Sequence, residues 1–203
     1  MNTNRNFALW VGLTVLLLAA LACRLPGGIS VPAGGEEEPV EQPVEVVQQP
    51  TEAPPAAAQL VSQWAASASA SSEYSNPAWS AQQATGAPDT PECGDQETAW
   101  ASAESDGVDW LEVGYTTPVV PSEINIYESN SPGFIVRVEV RDETGTYSAV
   151  WEGAPGATAQ CPRVLSIPVS GIDRRVVAVR IHLDQRNGAA WNEIDAVQLV
   201  GRP

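Results

Sequence analysis

Two tryptophans, Trp79 and Trp191, lie in loop-like sequence where a side chain is free to bind a ligand. Trp79 follows Asn-Pro-Ala, and Trp191 follows Asn-Gly-Ala-Ala. An exposed aromatic ring stacks on the apolar face of a sugar, while amide and guanidinium groups bind its hydroxyls. Arg186, Asn187 and Asn192 stand beside Trp191 in the sequence and supply such groups. These five residues predict a carbohydrate-binding site, with burial in the core as the alternative for each tryptophan.

Residues typical of catalysis are nearly absent from the sequence. His182 is the only histidine, and it lies in a strand-like segment where a role on a sheet face is expected. No Gly-X-Ser-X-Gly, His-Glu-X-X-His or phosphate-binding glycine motif occurs. The 25 acidic residues single out no pair for glycoside hydrolysis. The sequence therefore predicts a binding module rather than an enzyme, with a hydrolase as the minor hypothesis.

The charge distribution narrows the class of partner. The net charge is -15, all ten basic residues are Arg, and none lies between Arg24 and Arg137. Neutralising phosphates requires a basic surface, so the sequence predicts no nucleic-acid partner and disfavours an anionic lipid surface. Arg137, Glu139 and Arg141 alternate along one segment, which predicts a solvated sheet face with cross-strand ion pairs. The predicted partner is a carbohydrate, and the alternative is a structural or adhesive module that contacts another cell-envelope protein.

The first residues predict export. Residues 1–23 contain an apolar run from Phe7 to Ala22 behind Arg5, and Cys23 follows small residues. The run has 16 residues, whereas a membrane-spanning helix needs about 20. Its end resembles the lipobox of bacterial lipoproteins, which implies lipidation of Cys23 and an extracytoplasmic protein attached to the cell membrane. Ordinary secretion and a retained N-terminal anchor are the alternatives.

The segment that follows is predicted to be a disordered linker. Residues 24–59 are rich in Pro, Glu, Gln and Val, with six Glu and no Lys or Arg after Arg24. Such a composition buries too little apolar surface to offset the entropy of ordering the chain. Its prolines favour an extended spacer between the membrane and the remaining residues.

Residues 60–203 are predicted to form one all-β domain. Apolar and polar residues alternate in five segments, separated by turns rich in Gly, Pro and Asn. Half-buried antiparallel strands at this spacing predict a sandwich or jelly roll, in which Trp100 and Trp110 belong to the core. The segments are Val108 to Tyr115, Ser122 to Glu128, Phe134 to Asp142, Arg175 to Asp184 and Glu193 to Val200.

Two cysteines remain if Cys23 carries a lipid. Cys93 and Cys161 each lie in a loop that contains proline. An even pair in an oxidising compartment predicts a disulfide, which would tie two long connections together. Two free thiols are the alternative, because the geometry that decides between them is not visible in the sequence.

Several motifs resemble a discoidin-type, galactose-binding-like domain over residues 66 to 201. They are Ala70-Ser71-Ser72-Glu73-Tyr74-Ser75, Ala84-Thr85-Gly86, Thr98-Ala99-Trp100-Ala101-Ser102, Trp110-Leu111-Glu112-Val113-Gly114-Tyr115 and Glu193-Ile194-Asp195-Ala196-Val197-Gln198-Leu199. Their order and spacing carry the resemblance more than any single motif. The resemblance implies an eight-stranded antiparallel jelly-roll β-sandwich that binds sugars, lipid head groups or proteins through loops at one end.

The same resemblance implies a structural calcium ion between a long loop and the last strand. Thr98 and Glu193 match positions that supply the hydroxyl and the terminal carboxylate, Asp95 lies close in the loop, and Asp89 is a substitute ligand. Thr85 stands where the family turn usually has Asp. A disulfide that replaces the ion, or a solvated acidic loop, is the alternative.

Overall fold

The computed structural model describes residues 59–188 and 190–203. They form eight antiparallel strands and one short 3₁₀ helix (Ala81–Ala84). This architecture confirms the predicted all-β jelly roll. The strands are β1 (Val61–Trp64), β2 (Ser67–Ala70), β3 (Val108–Asn130), β4 (Ile135–Asp142), β5 (Tyr147–Glu152), β6 (Arg163–Pro168), β7 (Val176–Asp184) and β8 (Glu193–Arg202).

The long strand β3 belongs to both sheets of the sandwich. Its first half pairs with β2 and β7, in a sheet ordered β2-β3-β7-β4-β5. Its second half pairs with β6 and β8, in a sheet ordered β1-β8-β3-β6. The ladder with β7 shifts register between Gly114 and Val119, close to Pro118 and Pro121. Since proline donates no backbone hydrogen bond, this is where the strand changes partners.

The core lies between the two sheets. Leu111 from the first half of β3 and Ile124 from its second half are fully buried. They join one apolar cluster with Ile181 of β7 and Leu199 of β8. The alternation of apolar residues along each strand produces this arrangement, because successive side chains point to opposite faces.

The predicted segments correspond to strands β3, β4, β7 and β8, and the first two segments are parts of the single strand β3. Strands β1, β2, β5 and β6 were not predicted. They are four to six residues long and half exposed, so their sequences show no clear apolar alternation.

The two strand tryptophans have different environments. Trp100 is fully buried, as predicted. The prediction that Trp110 belongs to the core is wrong, because Leu111 and Val113 occupy the inward positions and Trp110 lies half-buried on the outer face. There the guanidinium carbon of Arg180 lies 4.5 Å from the centroid of the Trp110 ring.

The outer face of this sheet carries the predicted ion pairs. Arg180 and Arg141 both contact the carboxylate of Glu112, at 2.8 and 3.2 Å. Arg137 pairs with Glu139, which also contacts His182. The expected role of His182 on a sheet face is confirmed. The basic side chains of β4 and β7 are thus all paired with carboxylates of the protein itself.

Several predictions fall on residues that the structure does not describe. These are the signal segment 1–23, lipidation at Cys23, and all of the linker 24–59 except Gln59. Between residues 59 and 203, apart from Ala189, no helix has the length and hydrophobicity needed to span a membrane.

The predicted disulfide between Cys93 and Cys161 is confirmed. It joins the long loop after the 3₁₀ helix to the connection between β5 and β6, and the two Cα atoms lie 5.3 Å apart. The cysteines are 68 residues apart in the chain. A covalent link over this distance removes many conformations from the unfolded chain.

Replacing both cysteines, in Cys93→Ser with Cys161→Ser, is expected to lower the free energy of unfolding by up to about 4 kcal/mol, from the loop-closure entropy. Urea unfolding followed by tryptophan fluorescence measures this difference. Reductant should destabilise the wild-type protein and leave the double variant unchanged. Equal stabilities of the two oxidised proteins would contradict the structural role of the bond.

Candidate functional site

Three aromatic side chains meet at one end of the sandwich. The ring centroid of Tyr74 lies 5.4 Å from that of Trp79 and 5.4 Å from that of Trp191, with interplanar angles of 76° and 75°. Edge-to-face contacts of this kind are favourable for aromatic rings. Tyr74 is 53% exposed, whereas both tryptophans are half-buried. We call Tyr74, Trp79 and Trp191 the aromatic cluster.

Hydrogen bonds fix the orientation of both indole rings. The Trp79 Nε1–H donates to Oδ1 of Asp95 at 2.8 Å, and the Trp191 Nε1–H donates to the carbonyl of Ser102 at 3.0 Å. The polar atom of each indole is therefore satisfied within the protein. What the cluster offers a ligand is aromatic surface in a fixed arrangement.

Trp79 also has an unusual backbone conformation. Its φ is 53°, in the left-handed region that large side chains rarely adopt. Two backbone hydrogen bonds hold it there, from Trp79 N to the Glu97 carbonyl and from Ala101 N to the Trp79 carbonyl. Such conformations persist where the surroundings over-determine them, and they cluster at ligand sites.

A small cavity lies within the aromatic cluster, with two carboxyl groups in its lining. Its volume is about 30 Å³, and Asp95, Ala101 and Glu193 line it together with the three rings. Glu193 is 1% exposed, and its oxygens accept hydrogen bonds from Asn130 Nδ2 and Gln96 N. Burial raises the pKa of Glu193 to about 7, and neighbouring Asp95 adds to this rise. The cavity floor therefore carries a carboxyl group that is only partly ionised near neutral pH, whereas the exposed Asp95 lies at its edge.

Two carboxylates of β8 hold the long loop in place. Asp195 accepts hydrogen bonds from the backbone N–H groups of Asp89 and Thr90, both at 3.3 Å, and Glu193 accepts the one from Gln96 at 3.2 Å. Gly94 N donates to the Ser129 carbonyl in the same region. We call residues 87–98 the tethered loop.

Of the five predicted ligand residues, only the two tryptophans lie at the same site. Trp79 and Trp191 come together, but Asn192 is fully buried and accepts a hydrogen bond from Phe134 N, so its role is structural. Arg186 is exposed, and its guanidinium is paired with Asp184 at 2.6 Å. Asn187 lines a different cavity, of about 300 Å³, near Pro155.

Tyr74 is the site residue that the sequence analysis missed. It stands within the opening Ala-Ser-Ser-Glu-Tyr motif, which pointed to the fold rather than to a ligand. The adjacent Asn76 and Pro77 mark a turn and are the one local signal that could have identified Tyr74 as a loop residue.

The four predicted calcium ligands do not converge. Asp89 and Thr98 line a polar cavity of about 150 Å³, whereas Asp95 and Glu193 line the aromatic one. In the part of the chain that the structure describes, no group of three or more His, Cys, Asp or Glu side chains is placed to hold a metal ion. The β8 carboxylates accept N–H groups, while calcium needs oxygen ligands around it. This conformation therefore does not fit one calcium ion, and calcium binding stays a prediction.

A larger cavity lies on the other side of the tethered loop. It has a volume of about 290 Å³ and apolar walls, and the buried Glu128 lies against Arg163 at 3.3 Å in its lining. Burial raises the pKa of Glu128, although Arg163 and Gly133 N oppose this rise. The apolar walls include Pro88, Pro91, Tyr127, Pro162 and Val164.

Many solved structures are similar to this chain in fold, and three of them are as follows. Chitosan-binding module 1 of a chitosanase/glucanase from Paenibacillus sp. IK-5 is 18% identical with a TM-score of 0.52, over 66% of this chain and 92% of that one. The CBM32 of AlyQ, solved with 4,5-unsaturated mannuronic acid, is 11% identical with a TM-score of 0.50, over 68% and 97%. A lectin-binding domain of lectinolysin, solved with Lewis b, is 12% identical with a TM-score of 0.50, over 68% and 92%. The fold is thus the discoidin-type, galactose-binding-like jelly roll.

No curated protein matches the sequence. A family match covers the whole domain and includes every residue of the aromatic cluster and the tethered loop. Because the family described as "Pappalysin-1, SD scarf domain, C-terminal" matches residues 55–203, the chain belongs to this family.

Proposed function

We propose that this protein is a non-catalytic module that binds carbohydrate at the aromatic cluster. The observation that carries the proposal is the arrangement of Tyr74, Trp79 and Trp191 around one cavity, with the indole N–H groups already bonded within the protein. A pyranose ring offers an apolar face to such a surface, and its hydroxyls find acceptors in the carboxylates beside it.

Similar folds give independent support for this ligand class. The module from Paenibacillus is named as chitosan-binding, and the module of AlyQ was solved with a uronic acid. Function resides in the site rather than in the fold, so these names support the class of ligand and not a particular sugar. The local evidence is the exposed ring of Tyr74 at the mouth of the cavity.

The proposal includes an extracytoplasmic position and a lipid anchor at Cys23. Its support is the apolar segment of residues 1–23 and the acidic, Pro-rich linker that follows. A binding domain on an extended spacer reaches ligands at a distance from the membrane.

Replacing Tyr74 tests the proposed site with little risk to the fold, because this side chain is half exposed. Tyr74→Ala is expected to weaken retention on a glycan array by about tenfold or more, since the stacking surface is lost. Tyr74→Phe, which keeps the ring, should retain binding. Trp79→Ala and Trp191→Ala should also lose binding.

Val164→Ala is the matched control, because it removes exposed apolar surface from the larger cavity instead. If Val164→Ala abolishes retention and Tyr74→Ala does not, the proposed site is wrong. A blank array for the wild-type protein would favour contact with another cell-envelope protein.

Melting temperature tests the calcium prediction. An ion that binds only the folded chain stabilises it by about 2.7 kcal/mol at a free concentration one hundred times the dissociation constant. The family resemblance predicts that chelator lowers the melting temperature and that added calcium restores it. Asp89→Asn should remove this response, whereas Asp173→Asn, at an exposed turn, should keep it. A melting temperature that does not change with chelator would contradict calcium binding.

A further inference from the structure

The cavity of the aromatic cluster has a one-sided charge. Asp95 and Glu193 line it, and no Arg or His is among its described lining residues. The sequence strengthens this bias, because no Lys, Arg or His lies between Arg24 and Arg137. The site therefore presents a negative potential to any ligand.

Aromatic rings and carboxylates together favour a cation. The face of an indole or phenol ring attracts a positive charge, and a carboxylate within reach adds a charge-assisted hydrogen bond. A neutral hydroxyl gains much less from either group. The two kinds of side chain that line this cavity thus select the same ligand chemistry.

The size of the cavity also limits the group that enters it. A volume of about 30 Å³ holds only one or two groups of the size of water, so a whole pyranose ring does not fit. One small functional group of a larger ligand does fit. The sugar ring itself would then lie over the exposed side of Tyr74.

The two carboxyl groups have different parts in this recognition. Asp95 is exposed and holds the Trp79 indole through Oδ1, so an incoming group reaches its carboxylate from solvent. Glu193 is buried and already accepts hydrogen bonds from Asn130 and Gln96. Asp95 is the direct partner, and Glu193 forms the floor behind it.

We propose that the cavity of the aromatic cluster binds the protonated amine of an amino sugar, so that the module prefers oligosaccharides with free amines over N-acetylated ones. This inference rests on the proposed carbohydrate binding and names its substrate class. Acetylation removes the positive charge and adds a group that is too large for the cavity.

Isothermal titration calorimetry of the full chain tests the preference. The ligands are a fully deacetylated glucosamine hexasaccharide, its N-acetylated counterpart and a neutral glucose oligosaccharide of equal length, at a pH where the amine is protonated. The deacetylated ligand is expected to bind about tenfold or more tightly, as expected for one charge-assisted contact. Asp95→Asn preserves an acceptor for the Trp79 indole and should remove that preference.

Asp173→Asn is the matched control, because it removes one exposed carboxylate that does not line the cavity, and it should leave the preference intact. Tyr74→Ala controls for nonspecific attraction of a cationic ligand to a chain with a net charge of -15. If Tyr74→Ala or Asp95→Asn still prefers the amine as the wild type does, the inference is overturned. If the wild type binds the N-acetylated or the neutral sugar as tightly as the deacetylated one, or more tightly, the amine preference is overturned. If Tyr74→Ala also loses that binding, carbohydrate binding at the aromatic cluster is still supported. Failure of all three ligands and of the glycan array would overturn both.

Discussion

The attachment of the tethered loop to β8 is the interaction on which the candidate site depends. The loop contains two prolines and a glycine and has no regular structure of its own. Asp195 and Glu193 nevertheless accept its backbone N–H groups, and Cys93 joins it covalently to the connection before β6. A carboxylate that accepts backbone N–H groups forms charge-assisted hydrogen bonds, which are stronger than neutral ones. These contacts place the Asp95 carboxylate at the N–H edge of the Trp79 indole and the Glu97 carbonyl against the Trp79 backbone N–H. Without them, Trp79 would lose the partners that orient its ring against Tyr74.

The acidic residues around this loop therefore have separate tasks. Asp195 and Glu193 are buried and stabilise the loop, whereas Asp95 is exposed and faces both the indole and the solvent. Removing a charged carboxylate from water without a neighbouring cation is unfavourable. Burial therefore raises the pKa of both Asp195 and Glu193. The elevated pKa of these groups is the cost of tying an irregular loop to a strand from within the protein. It also leaves the site with acidic groups and aromatic surface side by side.

The sequence predicted the fold well and the site in part. The alternation in Phe134 to Asp142 and Arg175 to Asp184 is strong because one face of each strand is buried, so both strands could be found. Short edge strands such as β2 bury little and show no such pattern. The disulfide between Cys93 and Cys161 could be predicted because they are the only pair left if Cys23 carries a lipid. The role of Asn192 could not, because it depends on a contact with Phe134 that no local sequence pattern shows. Tyr74 becomes a site residue only when distant loops bring Trp79 and Trp191 to its two sides.

The most direct test of the account is nuclear magnetic resonance of the full chain, with the indole N–H signals followed as an oligosaccharide from the glycan array is added. Trp79 and Trp191 lie at the proposed site, while Trp110 lies on the outer face of a sheet beneath Arg180 and Trp100 is buried in the core. If the ligand binds at the aromatic cluster, the signals of Trp79 and Trp191 shift with ligand and those of Trp100 and Trp110 shift little. Shifts centred on Trp110, with Trp79 and Trp191 unchanged, would contradict it and move the binding surface to the sheet face.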